Sequence, residues 1–169
     1  SWNKNINYAD VNYCTLRYAD VVLMAAEAYN ETGADRQKAW SLLNSVRTRA
    51  EATSVTETNY VEMMSARKKT HNLTFIDDST PEGKFRTVLY WERGFELAFE
   101  GQRKYDLIRW GVLGKALKLF GEISSVNQKE NKPYPAYRNF TEGKHELFPI
   151  PLKEIQSNPK LNGMNNSGY

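Results

Sequence analysis

Carboxylate and guanidinium side chains concentrate between residues 92 and 110. Three glutamates recur at every fourth position, Glu92, Glu96 and Glu100, so that a continuous helix would place them on one face. Two carboxyl groups held at a fixed separation are the equipment of a glycoside hydrolase, one as acid and the other as nucleophile or base. One interpretation of this stretch is therefore a glycosidase that uses the carboxylates from Glu92 to Asp106.

Arginines in the same stretch favour a structural interpretation. Arg93, Arg103 and Arg109 lie close to the carboxylates in the sequence. An arginine lowers the pKa of a neighbouring carboxyl group, whereas a general acid at neutral pH needs a raised pKa. We therefore expect an ion-paired lattice with no catalytic residue. The expected structural motif comprises Glu96, Glu100, Gly101, Arg103, Asp106, Arg109 and Trp110.

Other reactive groups give weaker signals. His145-Glu146 begins like a helical zinc motif, but Pro149 breaks the helix and no histidine follows one turn later. The single cysteine, Cys14, is expected to be a small buried hydrophobe. Lysine and arginine total 23 against 20 for aspartate and glutamate, too even a balance for a nucleic-acid surface. We expect no metal, no cofactor and no nucleic-acid partner.

Aromatic residues in irregular segments are the candidate ligand contacts. Trp2, Tyr134 and Tyr137 lie where rings can face solvent and stack on sugar rings, although such rings also serve as ordinary loop anchors. Trp40, Trp91 and Trp110 fall within helical patterns and are expected in the core.

The elements that must position these residues are helical. Residues 15–52 predict a helical hairpin, in which Gly33 ends the first helix and Asp35 caps the second. The first helix is apolar around most of its circumference, which is typical of a helix packed between neighbours. Residues 52–81 carry one short apolar patch, from Tyr60 to Met64, and a basic cluster at 67–69 that is expected to be solvated. At their end, Thr80-Pro81 is typical of a helix start, because proline is tolerated in the first turn.

Further helices are predicted over about residues 84–121. One runs to Glu100 with Phe95 and Phe99 on its buried side, and Gly101 interrupts it. A shorter helix follows through Arg109, and one more closes near Gly121. Residues 122–146 are predicted to form a loop, and residues 147–169 an extended tail with a single helical turn. The predicted fold is all-α, a tetratricopeptide-like antiparallel helical assembly with long irregular loops and an extended C-terminal tail. No stretch approaches the roughly 20 apolar residues of a membrane span.

Three separated segments resemble one family, SusD/RagB. They are the hairpin LRYADVVLMAAEAYNETG with LLNSVRTRA, the stretch ELAFEGQRKYDLIRWG, and the ending LFPIPLKEIQSNPKLNGMNNSGY. The segments occur in the family's order and spacing and cover roughly half of the chain. Family members are several times longer, so the resemblance implies that residues 1–169, which begin at serine, are the C-terminal portion of a longer protein.

The resemblance also implies a function. SusD-like proteins are non-enzymatic lipoproteins of the outer membrane, anchored at the cell surface through an N-terminal cysteine that this chain does not contain. They capture oligosaccharides, or in some members peptides, and pass them to a SusC-like TonB-dependent transporter. The missing N-terminal half is then a packing partner of this chain. A glycoside hydrolase and a tetratricopeptide-type protein-binding scaffold remain as alternatives.

Overall fold

The structure, a computed structural model, describes residues 14–70, 73–127 and 135–169. Within these stretches the chain forms eight α-helices, one 3-10 turn and no strand, which confirms the all-α prediction. The helices are α1 (Tyr18–Thr32), α2 (Arg36–Arg49), α3 (Tyr60–Thr70), α4 (Pro81–Glu96), α5 (Arg103–Arg109), α6 (Leu113–Asn127), α7 (Pro135–Arg138) and α8 (Leu152–Ser157), and the 3-10 turn is Pro159–Leu161. Described residues up to Arg103 form one compact unit, and those from Lys104 onward form a second.

Local signals in the sequence set the boundaries of the first hairpin. Gly33 takes the left-handed conformation, with φ at 66°, and ends α1. The side chain of Asp35 accepts a hydrogen bond from the Lys38 N–H at 2.8 Å and caps α2. Because three residues join α1 to α2, the two helices form a tetratricopeptide-like antiparallel pair.

The core of the first unit lies where α1, α2 and α4 meet. Leu23 and Leu43 are completely buried there, and the rings of Trp40 and Phe85 meet edge to face at 4.9 Å. Burial of each such side chain contributes about 2 kcal/mol before the entropic cost of ordering it. This core holds α4 in register against the helical pair.

Only part of the apolar circumference of α1 is covered. Val22, Leu23 and Ala26 are buried, whereas Tyr18 and Val21 are exposed on another face. The expectation that this helix packs on nearly all sides is therefore not met by the described residues, which leave an apolar strip open.

The first unit differs from the prediction in one additional helix, α3, and in the end of α4. The short apolar patch is the start of a full helix, α3, because Tyr60 and Met64 lie one turn apart and are both buried. Helix α4 begins at Pro81 behind the predicted Thr80 cap but ends at Glu96, four residues early. Phe99 is left-handed, with φ at 65°, so the helix cannot continue through it.

The early end of α4 also corrects the predicted burial of its aromatic residues. Phe95 is half exposed, and Phe99 projects fully into solvent from the turn that follows the helix. Gly101 closes this turn with φ at 77°, a conformation in which glycine has no steric penalty. The helix-breaking signal was therefore placed correctly at Gly101, but the helix had already ended.

In the second unit, α6 continues through Gly121 to Asn127, so the predicted end near Gly121 is wrong. The Tyr137 ring lies close to Gly121, where a Cβ would be 2.9 Å from it, so a larger residue there would displace the ring. Gly114, two turns earlier, is close to the Phe140 ring in the same way, at 2.8 Å. Part of the segment predicted as a loop, residues 122–146, is thus helical, and α7 and the residues after it pack along α6.

The C-terminal residues are held by side-chain amides. Pro149 and Pro151 have no N–H, and the one N–H between them, on Ile150, donates to Asn165 Oδ1 at 2.7 Å. Asn166 Nδ2 donates to the Phe148 carbonyl at 2.7 Å. These bonds replace the strand partner that a proline-rich segment cannot have.

Candidate functional site

The three glutamates that first suggested an active site do not share one helix. Glu92 and Glu96 lie one turn apart on α4, whereas Glu100 lies beyond the end of that helix, in the turn that contains Phe99. Glu92 and Glu96 have nearly buried side chains, and the side chain of Glu100 is about a third exposed. Their geometry is therefore set by a helix end as well as by helical spacing.

Arg17, just before α1, joins two of these carboxylates. Its Nε donates to both oxygens of Glu100, at 3.0 and 2.8 Å, and its Nη1 donates to Glu96 Oε1 at 2.6 Å. Its Nη2 donates to the backbone carbonyl of Glu96, one of the carbonyls that the helix end leaves unsatisfied. The hydrogen bond to Glu100, with a smaller contribution from Glu96, raises the pKa of Arg17 above its ordinary value despite partial burial.

A second contact joins the same two segments. Gln102 Nε2 donates to the Thr15 carbonyl at 3.2 Å, one residue past the turn. The arginine-tyrosine-alanine-aspartate opening of α1 and the turn after α4 are therefore tied together although about 80 residues separate them. Two of the sequence segments that resemble the SusD/RagB family, the opening of α1 and the turn after α4, are therefore in direct contact.

Arginines of α2 complete the pairing. Arg49 pairs with Glu96, and Arg47 pairs with Glu92. Glu96, whose side chain is 8% exposed, thus lies between Arg17 and Arg49, while Arg49 itself is largely exposed. A hydrolase needs at least one carboxyl group free to give or accept a proton. Arg17, Arg49, Glu96 and Glu100, which we name the Arg17 cluster, leave no such carboxyl group.

The rest of the predicted structural motif makes local contacts. Arg103 Nη1 donates to the Tyr90 carbonyl at 2.8 Å, and its guanidinium lies 3.9 Å from the centre of the Tyr90 ring. In the second unit, Arg109 Nη2 donates to the buried Asp106 at 3.0 Å, and the Arg109 guanidinium lies 5.1 Å from the centre of the half-buried Trp110 ring. These contacts suit an architectural role.

A pocket between α2, α3 and α4 was not predicted from the sequence. Its volume is about 90 Å³, and its walls include Arg47, Met64, Arg67, Trp91 and Phe95. Arg67, which was expected to be solvated, is half buried, with its guanidinium 4.5 Å from the centre of the Phe95 ring and 5.2 Å from that of Trp91. Sequence reasoning missed this site because its walls come from three separate helices.

The residues proposed for ligand contact have mixed outcomes. Trp2 and Tyr134 lie outside the described residues. Tyr137 is described, and its ring packs against Gly121 of α6, which favours the anchoring alternative for that side chain. A ligand-binding role for these three residues stays a prediction. Of the tryptophans expected in the core, Trp40 is buried and Trp91 is half buried, in the pocket wall.

Two further sequence expectations can be compared with the described residues. Cys14 is exposed, so the expectation of a buried hydrophobe is wrong, and its thiol donates to the Leu16 carbonyl at 3.3 Å. His145 accepts a hydrogen bond from the Thr141 N–H at 2.7 Å through Nδ1.

Across residues 14–70, 73–127 and 135–169, no group of three metal-ligating side chains is close enough to hold an ion. Over the same residues no helix is both long and apolar enough to cross a bilayer.

Comparison with known proteins identifies relatives for nearly the whole chain. The SusD family model matches residues 2–169. SusD-like protein P2 of Formosa agariphila is 34% identical over 161 residues, and SusD-like protein P25 of the same organism is 34% identical over 176 residues. These matches cover 95% and 99% of this chain but 26% and 28% of the two relatives. The chain therefore spans about a quarter of the length of these curated relatives.

A solved structure agrees with these matches. The crystal structure of a SusD homolog from Bacteroides thetaiotaomicron superposes with a TM-score of 0.64 at 30% sequence identity. The superposition covers 95% of this chain and 28% of that one. The helical arrangement described above is therefore similar to part of that structure.

Proposed function

This chain belongs to the SusD family, and we propose that it serves in the non-catalytic capture of nutrient oligosaccharides at the cell surface. The observation that carries the proposal is the family match over residues 2–169. In this proposal the captured glycan passes to a SusC-like TonB-dependent transporter of the outer membrane. The protein is held at that membrane by a lipid on an N-terminal cysteine outside this chain.

The ion pairs support capture without cleavage. Glu92 is paired with Arg47, and Glu96 with Arg17 and Arg49, so neither carboxylate is placed to act as a general acid on a bound sugar. Removing the charge of such a buried carboxylate chiefly weakens the fold. The hydrolase alternative would instead require one of these carboxylates to exchange protons with substrate.

The exposed strip of α1 supports a packing partner within the same protein. Tyr18, Val21 and Met24 recur at three-residue spacing on one face of the helix and are all exposed. Since the curated relatives are about four times as long as the matched region, we propose that helices N-terminal to this chain cover the strip.

Calorimetric titration of the full-length protein tests the function. It is titrated with a panel of oligosaccharides and peptides, and each mixture is afterwards analysed for cleavage products. The expected result is micromolar binding of one glycan class, with every ligand recovered intact. Shortened glycans that disappear with Glu96→Gln would establish the hydrolase instead. Peptide binding with no response to any sugar would favour a protein-binding scaffold.

A further inference from the structure

The pocket between α2, α3 and α4 places two guanidinium groups against an aromatic wall. Among the described residues, the charged side chains in its lining are two arginines, Arg47 and Arg67. Trp91 and Phe95, one turn apart on α4, stack with 17° between their ring planes and form one side. Methionines of α3 form another part of the lining. The pocket therefore presents guanidinium groups and is bounded by rigid rings.

Both guanidinium groups are held in place before any ligand arrives. The Arg67 guanidinium lies over the two stacked rings, where attraction to the ring faces fixes its orientation. Arg47 Nε donates to the Thr53 carbonyl at 2.9 Å, and its Nη1 donates to Glu92. Groups fixed in this way lose little conformational freedom on binding, which favours affinity.

The electrostatics of the pocket favour an anion. Burial lowers the pKa of Arg67 below its ordinary value, and the positive charge of Arg47 lowers it further, with a smaller opposing effect from Glu92. The charged form of Arg67 is therefore destabilised in this position. An anion placed between the two arginines would relieve both the repulsion and the loss of hydration.

The volume of the pocket limits what can enter it. An apolar cavity of about 150 Å³ holds one benzene molecule, and this pocket measures about 90 Å³. A carboxylate or sulfate group fits that space, whereas a whole sugar ring does not. Guanidinium N–H groups are donors that match the oxygens of either group.

We propose that this pocket binds an oxyanion substituent of the captured glycan, either the carboxylate of a uronic acid or a sulfate ester. The sugar ring that carries the substituent stays outside the pocket, near the edges of Trp91 and Phe95. The proposal rests on the glycan-capture function and adds a preference for acidic glycans, set by Arg67.

Paired ligands that differ only in charge test the proposal. The full-length protein is titrated calorimetrically with trigalacturonic acid and with its methyl ester, and in a second arm with a sulfated galactan oligosaccharide and its desulfated form. The acidic member of at least one pair is expected to bind more tightly, by about tenfold to a hundredfold. The arm that shows this difference identifies the carboxylate or the sulfate as the substituent.

Three variants assign the preference to the pocket. Arg67→Gln is expected to bring the affinity for the acidic ligand down to that for its neutral form, and Arg67→Lys to retain part of the preference. Arg86→Gln, which removes the same charge from an exposed arginine paired with Glu31, should bind both ligands as the wild type does. If Arg67→Gln fails to fold, the salt dependence of the wild type replaces it. The affinity for the acidic form should then fall between 50 and 500 mM salt while that of the neutral form stays constant.

The outcomes distinguish a failure of the pocket proposal from a failure of the glycan-capture proposal. Glycan binding that is indifferent to charge and to Arg67 overturns the pocket assignment and leaves glycan capture intact. Binding of acidic peptides in place of glycans overturns both, as does the absence of any glycan binding.

Discussion

The Arg17 cluster and the pocket between α2, α3 and α4, here called the Arg67 pocket, both include residues of α4 and both contain arginines, but with opposite consequences. In the Arg17 cluster, two carboxylates of residues 96–100 meet two arginines, and Glu96 is nearly buried between them. In the pocket, two arginines and two aromatic rings surround a space, and the neighbouring carboxylate, Glu92, is engaged by Arg47. The first site is filled by its own ion pairs, whereas the second places two guanidinium groups beside an open space.

A structural site and a candidate binding site therefore differ here in the number of carboxylates beside the arginines and in the space that the side chains leave open. A satisfied buried pair costs much when broken and offers a ligand nothing. A preorganised cationic pocket contributes little to folding and can exchange water for an anion. Residue type alone would have placed the function at the glutamates.

Disrupting α4 should damage both sites, because Glu96 and Trp91 belong to that helix. A Cβ at Gly83 would lie 1.6 Å from the Asp77 carbonyl oxygen. We expect Gly83→Ala to lower the free energy of unfolding by about 3 kcal/mol and to weaken glycan binding as well. Gly94→Ala is the control, because its Cβ would meet nothing closer than 3.4 Å. It should match the wild type or exceed it by up to about 1 kcal/mol in denaturant unfolding.

Glu96→Gln should separate the two sites. It keeps the shape of the side chain and removes the charge that pairs with Arg17 and Arg49. Because Arg49 is largely exposed, we expect a loss of about 2 kcal/mol, less than for a fully buried pair. Denaturant unfolding measures the loss, with Glu142→Gln on the exposed surface as control. Affinity for glycan should remain unchanged, and a stable variant that no longer binds would remove the distinction.

Arg67→Gln should give the converse result for stability. The attraction to Trp91 and Phe95 is lost, but so are the repulsion from Arg47 and the cost of burying the charge. We expect these effects to offset each other to within about 1 kcal/mol in denaturant unfolding. A loss larger than that of Glu96→Gln would mean that the pocket is itself a structural element.

An exposed ion pair outside both sites should give the smallest effect on stability. Arg86 hydrogen-bonds Glu31 and lowers the pKa of that carboxyl group below its ordinary value, against a smaller opposing effect of burial. A carboxyl group with a lowered folded-state pKa stabilises the fold above its unfolded pKa, and this contribution is lost as the pH falls through the folded value. Arg86→Gln should therefore cost about 0.5 kcal/mol at pH 7. Urea unfolding at pH 7 and at acid pH should show this difference shrink as the pH falls, and a difference that grows in acid would contradict the assignment.

The parts of the fold that sequence could predict depend on local signals. Gly33, Asp35 and Thr80-Pro81 mark helix boundaries through their own backbone and side-chain chemistry, and the structure confirms all three. The end of α4 could not be predicted in this way. It is set in the turn that Arg17 holds from 83 residues away, and no local pattern reports such a contact.

The candidate sites show the same limit. The spacing of Glu92, Glu96 and Glu100 was visible, and the nearby arginines favoured pairing over catalysis. The arginines that form these pairs, however, are Arg17, Arg47 and Arg49, from α2 and from the residue before α1. Arg67 resembled a solvated charge because the rings that hold it lie on another helix.

Thermal unfolding of the wild type, Glu96→Gln and Arg67→Gln tests the central distinction most directly. Each form is measured with and without the acidic oligosaccharide, uronate or sulfated, that the wild type binds in the paired titrations. A ligand at about 100 times its Kd adds about 2.7 kcal/mol to the stability of a form that binds it. Glu96→Gln should unfold at a lower temperature than the wild type but gain the same increment from the ligand. Arg67→Gln should unfold near the wild-type temperature and gain none. The reverse pattern, in which Glu96→Gln loses the increment and Arg67→Gln keeps it, would place recognition in the Arg17 cluster and contradict the account.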